Sequence, residues 1–313
     1  MTNSDRESGH ETAFSPGDLV GERYRIVRLV GAGSTGEVYE AIDQALGGAV
    51  ALKTLKQGFS NQPVLLERFR REIQNARRVT HPNVCRIFDM GVHRVRKQQR
   101  FFLTMELLSG ESLAAYLAER EALSSAEALP LLTQIAAGLQ AAHDSGVTHR
   151  DLKPGNVVLV AGPPPRAIIT DFGLAISVEQ VGMGLTESSE LIGTPEYMAP
   201  EQIEPSSVTP AADIYALGII AYEMLAKHPP FEPGGTPIAT VLKRRHESPR
   251  PLRQLVPGVE PAWEAAILRC LEREPERRFR RPADFIAALT SPPEGPPERD
   301  GWVRRATRKL RGR

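Results

Sequence analysis

The stretch His149-Arg150-Asp151-Leu152-Lys153-Pro154-Gly155-Asn156 decides how the rest of the chain is read. It sets a carboxylate, an ammonium and a carboxamide (Asp151, Lys153 and Asn156) within residues 151–156. An alanine- and leucine-rich run ends at His143 on one side, and Val157-Val158-Leu159-Val160 follows on the other. The pattern predicts a short polar loop between a helix and a strand, where a rigid scaffold presents chemistry. A carboxylate can accept a proton, an ammonium can steady a phosphate, and an amide oxygen can ligate a hard cation. Taken alone, the loop is equally consistent with a capped turn.

Working outward, Asp171-Phe172-Gly173 comes after the loop, and Ala199-Pro200-Glu201 closes the segment that follows. Upstream lie Gly31-Ala32-Gly33-Ser34-Thr35-Gly36-Glu37-Val38 and then Val50-Ala51-Leu52-Lys53. Glycines at 31, 33 and 36 let backbone approach a ligand with no Cβ in the way. Successive N–H groups of such a loop can face phosphate oxygens. Tyr24 to Val30 and Val38 to Ile42 read as strands, so the glycines sit in a hairpin. No helix opens after Gly36, which argues against a dinucleotide-binding turn.

In this order and spacing the set resembles the protein kinases, over roughly residues 20–290. The Asp-Leu-Lys-Pro-Gly-Asn loop and Gly193-Thr194-Pro195-Glu196-Tyr197-Met198 are similar to Ser/Thr kinases. Pro-Glu-Gln after that segment looks most like the bacterial, eukaryotic-like (Hanks-type) members. The resemblance implies an α+β, bilobal fold, with a β-rich N-lobe over 20–108 and a helical C-lobe over 109–290. It implies ATP between the lobes, Mg2+ or Mn2+ as the metal, and γ-phosphate transfer to Ser or Thr of protein substrates.

Residue by residue, the resemblance makes Asp151 the base that orients the attacking hydroxyl, and places Lys153 on the γ-phosphate. Lys53 would hold the α- and β-phosphates, bridged to Glu72. Asn156 and Asp171 would hold the metal, and Thr194 would contact Asp151 and Lys153. Nucleotide contacts are implied for Val30, Gly31, Ala32, Gly33, Ser34, Thr35, Gly36, Glu37, Val38, Ala51, Met105, Glu106, Leu108 and Val158. In the family, Asp213 holds the backbone at His149-Arg150 and an arginine pairs with Glu201. The spacing after Pro275 favours Arg278 over Arg277 for that role.

The residues themselves support part of this. Leu66, Phe69, Ile73 and Ala76 form a helical stripe within 65–79, and Glu72 lies on or beside it, where a carboxylate needs a partner. The bland alternative is a solvated rim residue among Arg70, Arg71, Arg77 and Arg78. Strands are expected at Val84–Phe88 and Phe101–Leu107, with a basic loop from Arg94 to Arg100 between them. A helix is expected over 125–143, and Gly162–Pro165 should turn into a strand at Ala167–Thr170. Asp213 to Leu225 is apolar almost all round and should be a buried helix, with Asp213 favouring its start.

Composition bounds the rest. With 313 residues and net charge +1, the chain suits one large domain or two lobes, and no global field argues for nucleic acid. Cys85 and Cys270 stand far apart in no metal spacing, which fits a reducing, cytoplasmic setting. Residues 1–19 are expected to be a flexible lead-in without a signal peptide. Residues 291–313 read as a proline-rich linker and basic tail. Its Trp302/Ala306/Leu310 stripe among arginines would suit an anionic membrane surface, or it is simply a solvated tail.

Arg150, beside the proposed base, calls for an anionic partner. By analogy with the bacterial relatives, Thr186, Ser188 and Ser189 are the expected regulatory phosphorylation sites, modified between two molecules in a transient homodimer. Two rivals remain at this stage: a small-molecule kinase of the aminoglycoside type, which should lack the Ala-Pro-Glu closure, and a catalytically dead scaffold, which should lack Lys53, Asp151 or Asp171.

Overall fold

Tyr24 and Ile26 are buried while Arg25 and Val27 face out, the alternation of a strand with one dry face. The computed structural model describes residues 12–33, 36–55, 63–95, 98–172, 195–203, 208–232 and 235–290. Strand β1 (Leu19–Val20) leads into β2 (Tyr24–Gly33), which returns as β3 (Gly36–Asp43) and then β4 (Ala49–Thr54). The β2–β3 hairpin pairs Gly31 with Val38, Ala32 with Glu37 and Gly33 with Gly36. Gly36 has φ +142, and a Cβ there would lie 1.9 Å from the Thr54 carbonyl oxygen, so only glycine fits. The β3–β4 register sets Lys53 opposite Val38, the residue that pairs with Gly31 in the glycine hairpin.

Helix α1 (Pro63–Ala76) buries Phe69, Ile73 and Ala76 on one face. Each large side chain so removed from water contributes about 1.5–3 kcal/mol. Strands β5 (Ile87–Val95) and β6 (Gln98–Met105) complete a six-stranded antiparallel sheet in the order β1-β2-β3-β4-β6-β5. Here two expectations fail. The strand expected at Val84–Phe88 instead starts at Ile87, and Val84 makes only a single parallel bridge to Ile169. The basic stretch expected as a loop is part of the hairpin, with His93 paired to Arg100 and Arg94 to Gln99. As an edge strand, β5 carries charge without penalty, so its composition imitates a loop.

The lead-in also departs from expectation. Phe14 is 5% exposed and packs in the N-lobe core with Val20, Tyr24, Tyr39 and Phe102. A buried aromatic residue after a polar run helps anchor the chain there. Residues 1–11 and 291–313, including the Trp302 stripe, lie outside the described residues.

The second lobe is helical, apart from the small sheet β7 (Gly110–Ser112), β8 (Val157–Val160) and β9 (Arg166–Ile169). After α2 (Leu113–Ala118), α3 (Ser125–Asp144) begins with a capping box. The Ser124 hydroxyl accepts from the Glu127 N–H, and the Glu127 carboxylate accepts from the Ser124 N–H at 2.9 Å. Gly138 lets α3 approach the other lobe; a Cβ there would meet the Asn83 carbonyl oxygen at 2.7 Å. Helix α4 (Ala211–Ala226) is buried nearly all round, as its composition predicts. It ends at Lys227, in a left-handed conformation with φ +56, whose Nζ donates to the carbonyls of Leu117 and Arg120. Asp213 does not cap α4: Pro210 occupies that position, and the Asp213 carboxylate is engaged elsewhere. No helix among the described residues is long and apolar enough to cross a membrane.

Candidate active site

The loop at 149–156 is held from below by Asp213. Its Oδ2 accepts from the His149 N–H at 2.8 Å, and its Oδ1 accepts from the Arg150 N–H at 2.8 Å. His143 Nε2 lies 2.7 Å from Oδ2. Burial alone would raise the Asp213 pKa, but the His143 contact, the nearby imidazoles and the backbone donors outweigh it and hold the carboxyl below its ordinary value. Arg150 has φ +69, a conformation that persists for a non-glycine residue only when its surroundings fix it. Asp213 fixes its N–H, and Gln202 Nε2 donates to its carbonyl at 2.8 Å.

This clamp presents the polar side chains. Lys153 Nζ stands 2.9 Å from Asp151 Oδ2. Asn156 Nδ2 donates to the Asp151 carbonyl at 2.8 Å and to Asp151 Oδ2 at 3.1 Å. The amide protons are thereby spent on Asp151, which leaves Oδ1 as the atom Asn156 has to offer a cation. The His149 ring Nε2 lies 2.8 Å from the Thr170 carbonyl, and the Asp151 N–H donates to Nδ1 at 3.3 Å. The ring also meets Phe172 edge-on at 4.6 Å, so the segment carrying Asp171, just after β9, packs against the loop carrying Asp151.

Across the cleft, Lys53 is 3% exposed and its Nζ lies 2.7 Å from Asp171 Oδ2. Asp171 has φ +65, a second strained non-glycine residue in the same site. The expected Lys53–Glu72 bridge is not the ion pair formed. Glu72 Oε1 instead lies 3.6 Å from Arg150 Nη1. The buried ammonium has its carboxylate at contact distance in Asp171, and Glu72 faces the Arg150 guanidinium.

The remaining assigned residues fall around this centre. Val38 and Ala51 lie on paired strands, with Met105 opposite Ala51. Met105 is buried and ends β6. Glu106 follows, its N–H donating to the Arg86 carbonyl at 2.9 Å; Leu108 comes next in this stretch, and Val158 sits on β8 opposite Ser112. Val30, Gly31, Ala32 and Gly33 line the first arm of the glycine hairpin, and a Cβ at Gly31 or Gly33 would meet open space. Ser34, Thr35, Gly173, Thr186, Ser188, Ser189 and Thr194 lie outside the described residues.

Arg278, and not Arg277, meets Glu201: Nη1 to Oε1 is 2.6 Å and Nη2 to Oε2 is 2.8 Å, a bidentate pair in which Arg278 is 1% exposed. Arg278 also donates to the carbonyls of Glu272, Ala211 and Arg273. Sequence reasoning missed the contacts of His143 and Gln202. Gln202 had a visible signal in Pro-Glu-Gln, whereas a lone histidine near a helix end gives none.

A site of this kind, with a glycine hairpin over a buried lysine and a facing acidic loop, defines a bilobal fold whose cleft suits a phosphate-bearing ligand. The family model described as protein kinase domain matches residues 24–284. The chain belongs to the protein kinase family. It is 36% identical over 270 residues to the serine/threonine-protein kinase PknA of Mycobacterium tuberculosis, covering 86% of this chain and 61% of that protein. It is 38% identical over 276 residues to the serine/threonine-protein kinase Pkn1 of Myxococcus xanthus, covering 87% of this chain and 39% of that protein. The chain thus spans under two thirds of the length of these relatives. Among solved structures, the kinase domain of M. tuberculosis PknI superposes with a TM-score of 0.70 at 27% identity, over 88% of this chain and 98% of that one.

Proposed function

We propose that the chain is an ATP-dependent Ser/Thr protein kinase. The observation that carries this reading is the clamped loop in which Asp151 Oδ2 faces both Lys153 Nζ and Asn156 Nδ2, opposite the Lys53–Asp171 pair. The relatives named as serine/threonine kinases support the same reading. The residues present fit a nucleotide with its cation: Asn156 Oδ1 and the Asp171 carboxylate are hard oxygen donors suited to Mg2+ or Mn2+, and the open faces of Gly31 and Gly33 leave room for phosphates. Bound with its metal, ATP supplies the phosphoryl group. Asp151 orients the acceptor hydroxyl and takes its proton as the oxygen–phosphorus bond forms. Lys153 neutralises charge on the transferred group, and Lys53 steadies the phosphates that leave as ADP.

Activation by phosphorylation of the segment carrying Thr186, Ser188 and Ser189, between two molecules, belongs to the same reading. Arg150 now holds Glu72, and its Nε has no hydrogen-bond partner among the described residues. A phosphate adding about −1.5 to −2 charge would compete for that guanidinium and release Glu72 towards Lys53. The cytoplasmic setting, and the basic tail's affinity for anionic lipid, are further parts of this proposal.

The test is transfer of labelled phosphate from ATP to a basic protein acceptor, with Asp151→Asn as the control. Incorporation that survives this substitution, or none by the parent chain in either metal, overturns the reading. Full activity in a Thr186→Ala/Ser188→Ala/Ser189→Ala variant removes the phosphorylation switch alone.

A further inference from the structure

The segment before β1 reaches the glycine hairpin directly. The Ala13 N–H donates to Glu37 Oε2 at 2.8 Å, and the Phe14 N–H donates to the Tyr39 hydroxyl oxygen at 3.1 Å. The Tyr39 O–H in turn donates to the same Glu37 Oε2. The Phe14 ring stands edge-on to Tyr39 at 5.7 Å and to His93 at 5.3 Å, and His93 Nδ1 accepts from the Gly21 N–H at 3.1 Å. The path is fixed further by the Gly17 N–H to the Ile26 carbonyl at 2.8 Å and the Ile26 N–H to the Asp18 carbonyl at 2.9 Å.

Glu37 is the residue through which this contact reaches the site. It pairs with Ala32 within the glycine hairpin, one register from the Gly33–Gly36 turn. Its N–H donates to Thr54 Oγ1 at 3.0 Å, and the Thr54 hydroxyl donates back to its carbonyl at 3.3 Å. Thr54 follows Lys53. Glu37 is therefore held through its backbone by the lysine strand and through its carboxylate by the N-terminal segment. Burial, and then the Glu37 contact, push the Tyr39 pKa up to about 12, so the hydroxyl keeps its proton and stays a donor at neutral pH.

We infer that Ala13 and Phe14 form a strap that, through Tyr39 and Glu37, sets the position of the glycine hairpin and so the affinity for the nucleotide phosphates. All four are positioning residues rather than catalytic ones. This rests on the nucleotide reading above, and adds to it a control point outside the cleft. An anchor that only filled the N-lobe core would stabilise the sheet without favouring phosphate-bearing ligands. A strap acting on Glu37 changes binding of ligands whose phosphates lie under the hairpin and leaves binding of the bare nucleoside alone.

The experiment uses the full chain with Tyr39→Phe, which removes the hydroxyl and keeps the ring, and Ala13→Pro, which removes one N–H. Calorimetry gives Kd for ADP with Mg2+ and for adenosine, and hydrogen exchange follows the amides of 31–38 against those of β6. We expect Kd for ADP to rise about threefold to tenfold in each variant, the size of one net hydrogen bond, with adenosine unchanged. Amides of 31–38 should exchange faster while β6 keeps its protection. Unchanged ADP affinity in both variants, or equal losses for ADP and adenosine, overturns the strap. If the parent chain binds no ADP, the nucleotide reading fails instead; faster exchange confined to 31–38 then still supports the strap, and unchanged exchange overturns it.

Discussion

Gln202 and Arg150 are joined across the catalytic loop: Gln202 Nε2 donates to the Arg150 carbonyl at 2.8 Å, while Gln202 Oε1 accepts from the Ala199 N–H at 2.8 Å. One side chain thus ties the end of the segment after Asp171 to the residue preceding the proposed base. Arg150 sits at φ +69, held at its N–H by Asp213 and at its carbonyl by Gln202. Gln202→Leu strands that carbonyl, at a cost of about 1–3 kcal/mol. We expect kcat to fall at least about tenfold with KM for ATP within about twofold, since the loss falls on Asp151 and not on the nucleotide. A rise in KM at constant kcat would place the effect elsewhere.

Lys53→Met removes a preorganised positive charge from the cleft. Transfer should drop by about 10²–10³ or more while thermal unfolding shows a folded protein. Turnover within tenfold of the parent would sink the assignment of Lys53, whatever its partner in the resting arrangement.

Asp171→Ala removes the proposed cation ligand, and with it the partner of Lys53. Binding of an ATP analogue should weaken more with Mg2+ present than without it. Equal losses in both titrations would mean that Asp171 serves only the Lys53 pair.

Asp213 links stability to pH. Its carboxyl is held below the ordinary value of 3.8, so the folded chain favours its charged form. Such a group contributes stability that is fully present above the unfolded pKa and is lost as pH falls through the folded one. Urea unfolding of the parent should weaken as pH drops below the ordinary aspartate range. Asp213→Asn should be less stable at neutral pH, and the gap between the two should narrow on acidification. A gap constant with pH would show that the carboxylate's charge contributes nothing.

The Arg278 guanidinium is buried and donates to Glu201 and to three backbone carbonyls, so removing it breaks a connected buried network. Arg278→Ala should destabilise the chain by about 3–5 kcal/mol, read from urea unfolding. Arg277→Ala, whose side chain is 69% exposed, should change stability by under about 1 kcal/mol.

Much of this site was legible in the chain. The glycines at 31, 33 and 36, Lys53, the 149–156 loop and Asp171 have chemistry that follows from residue type, and their order carries the resemblance to the protein kinases. The buried helix around Asp213 was equally plain, because an element apolar on every side can only lie inside. Edge strand β5 was not, since a strand with one solvated face can carry the charges of a loop.

Partner choice was decided by tertiary structure. Nothing local tells Glu72 whether Lys53 or Arg150 will reach it, and Asp171 won the lysine through a contact set by packing between the lobes. The same holds for Gln202 on Arg150 and for Ala13 and Phe14 on Glu37 and Tyr39: residues far apart in sequence met only once sheet register and helix packing had placed them. The sequence by itself determined the family, the lobes and the reactive groups, because those depend on residue type and period. Which charge faces which, and what holds the glycine hairpin in place, depend on distances of a few ångströms that only the folded chain defines.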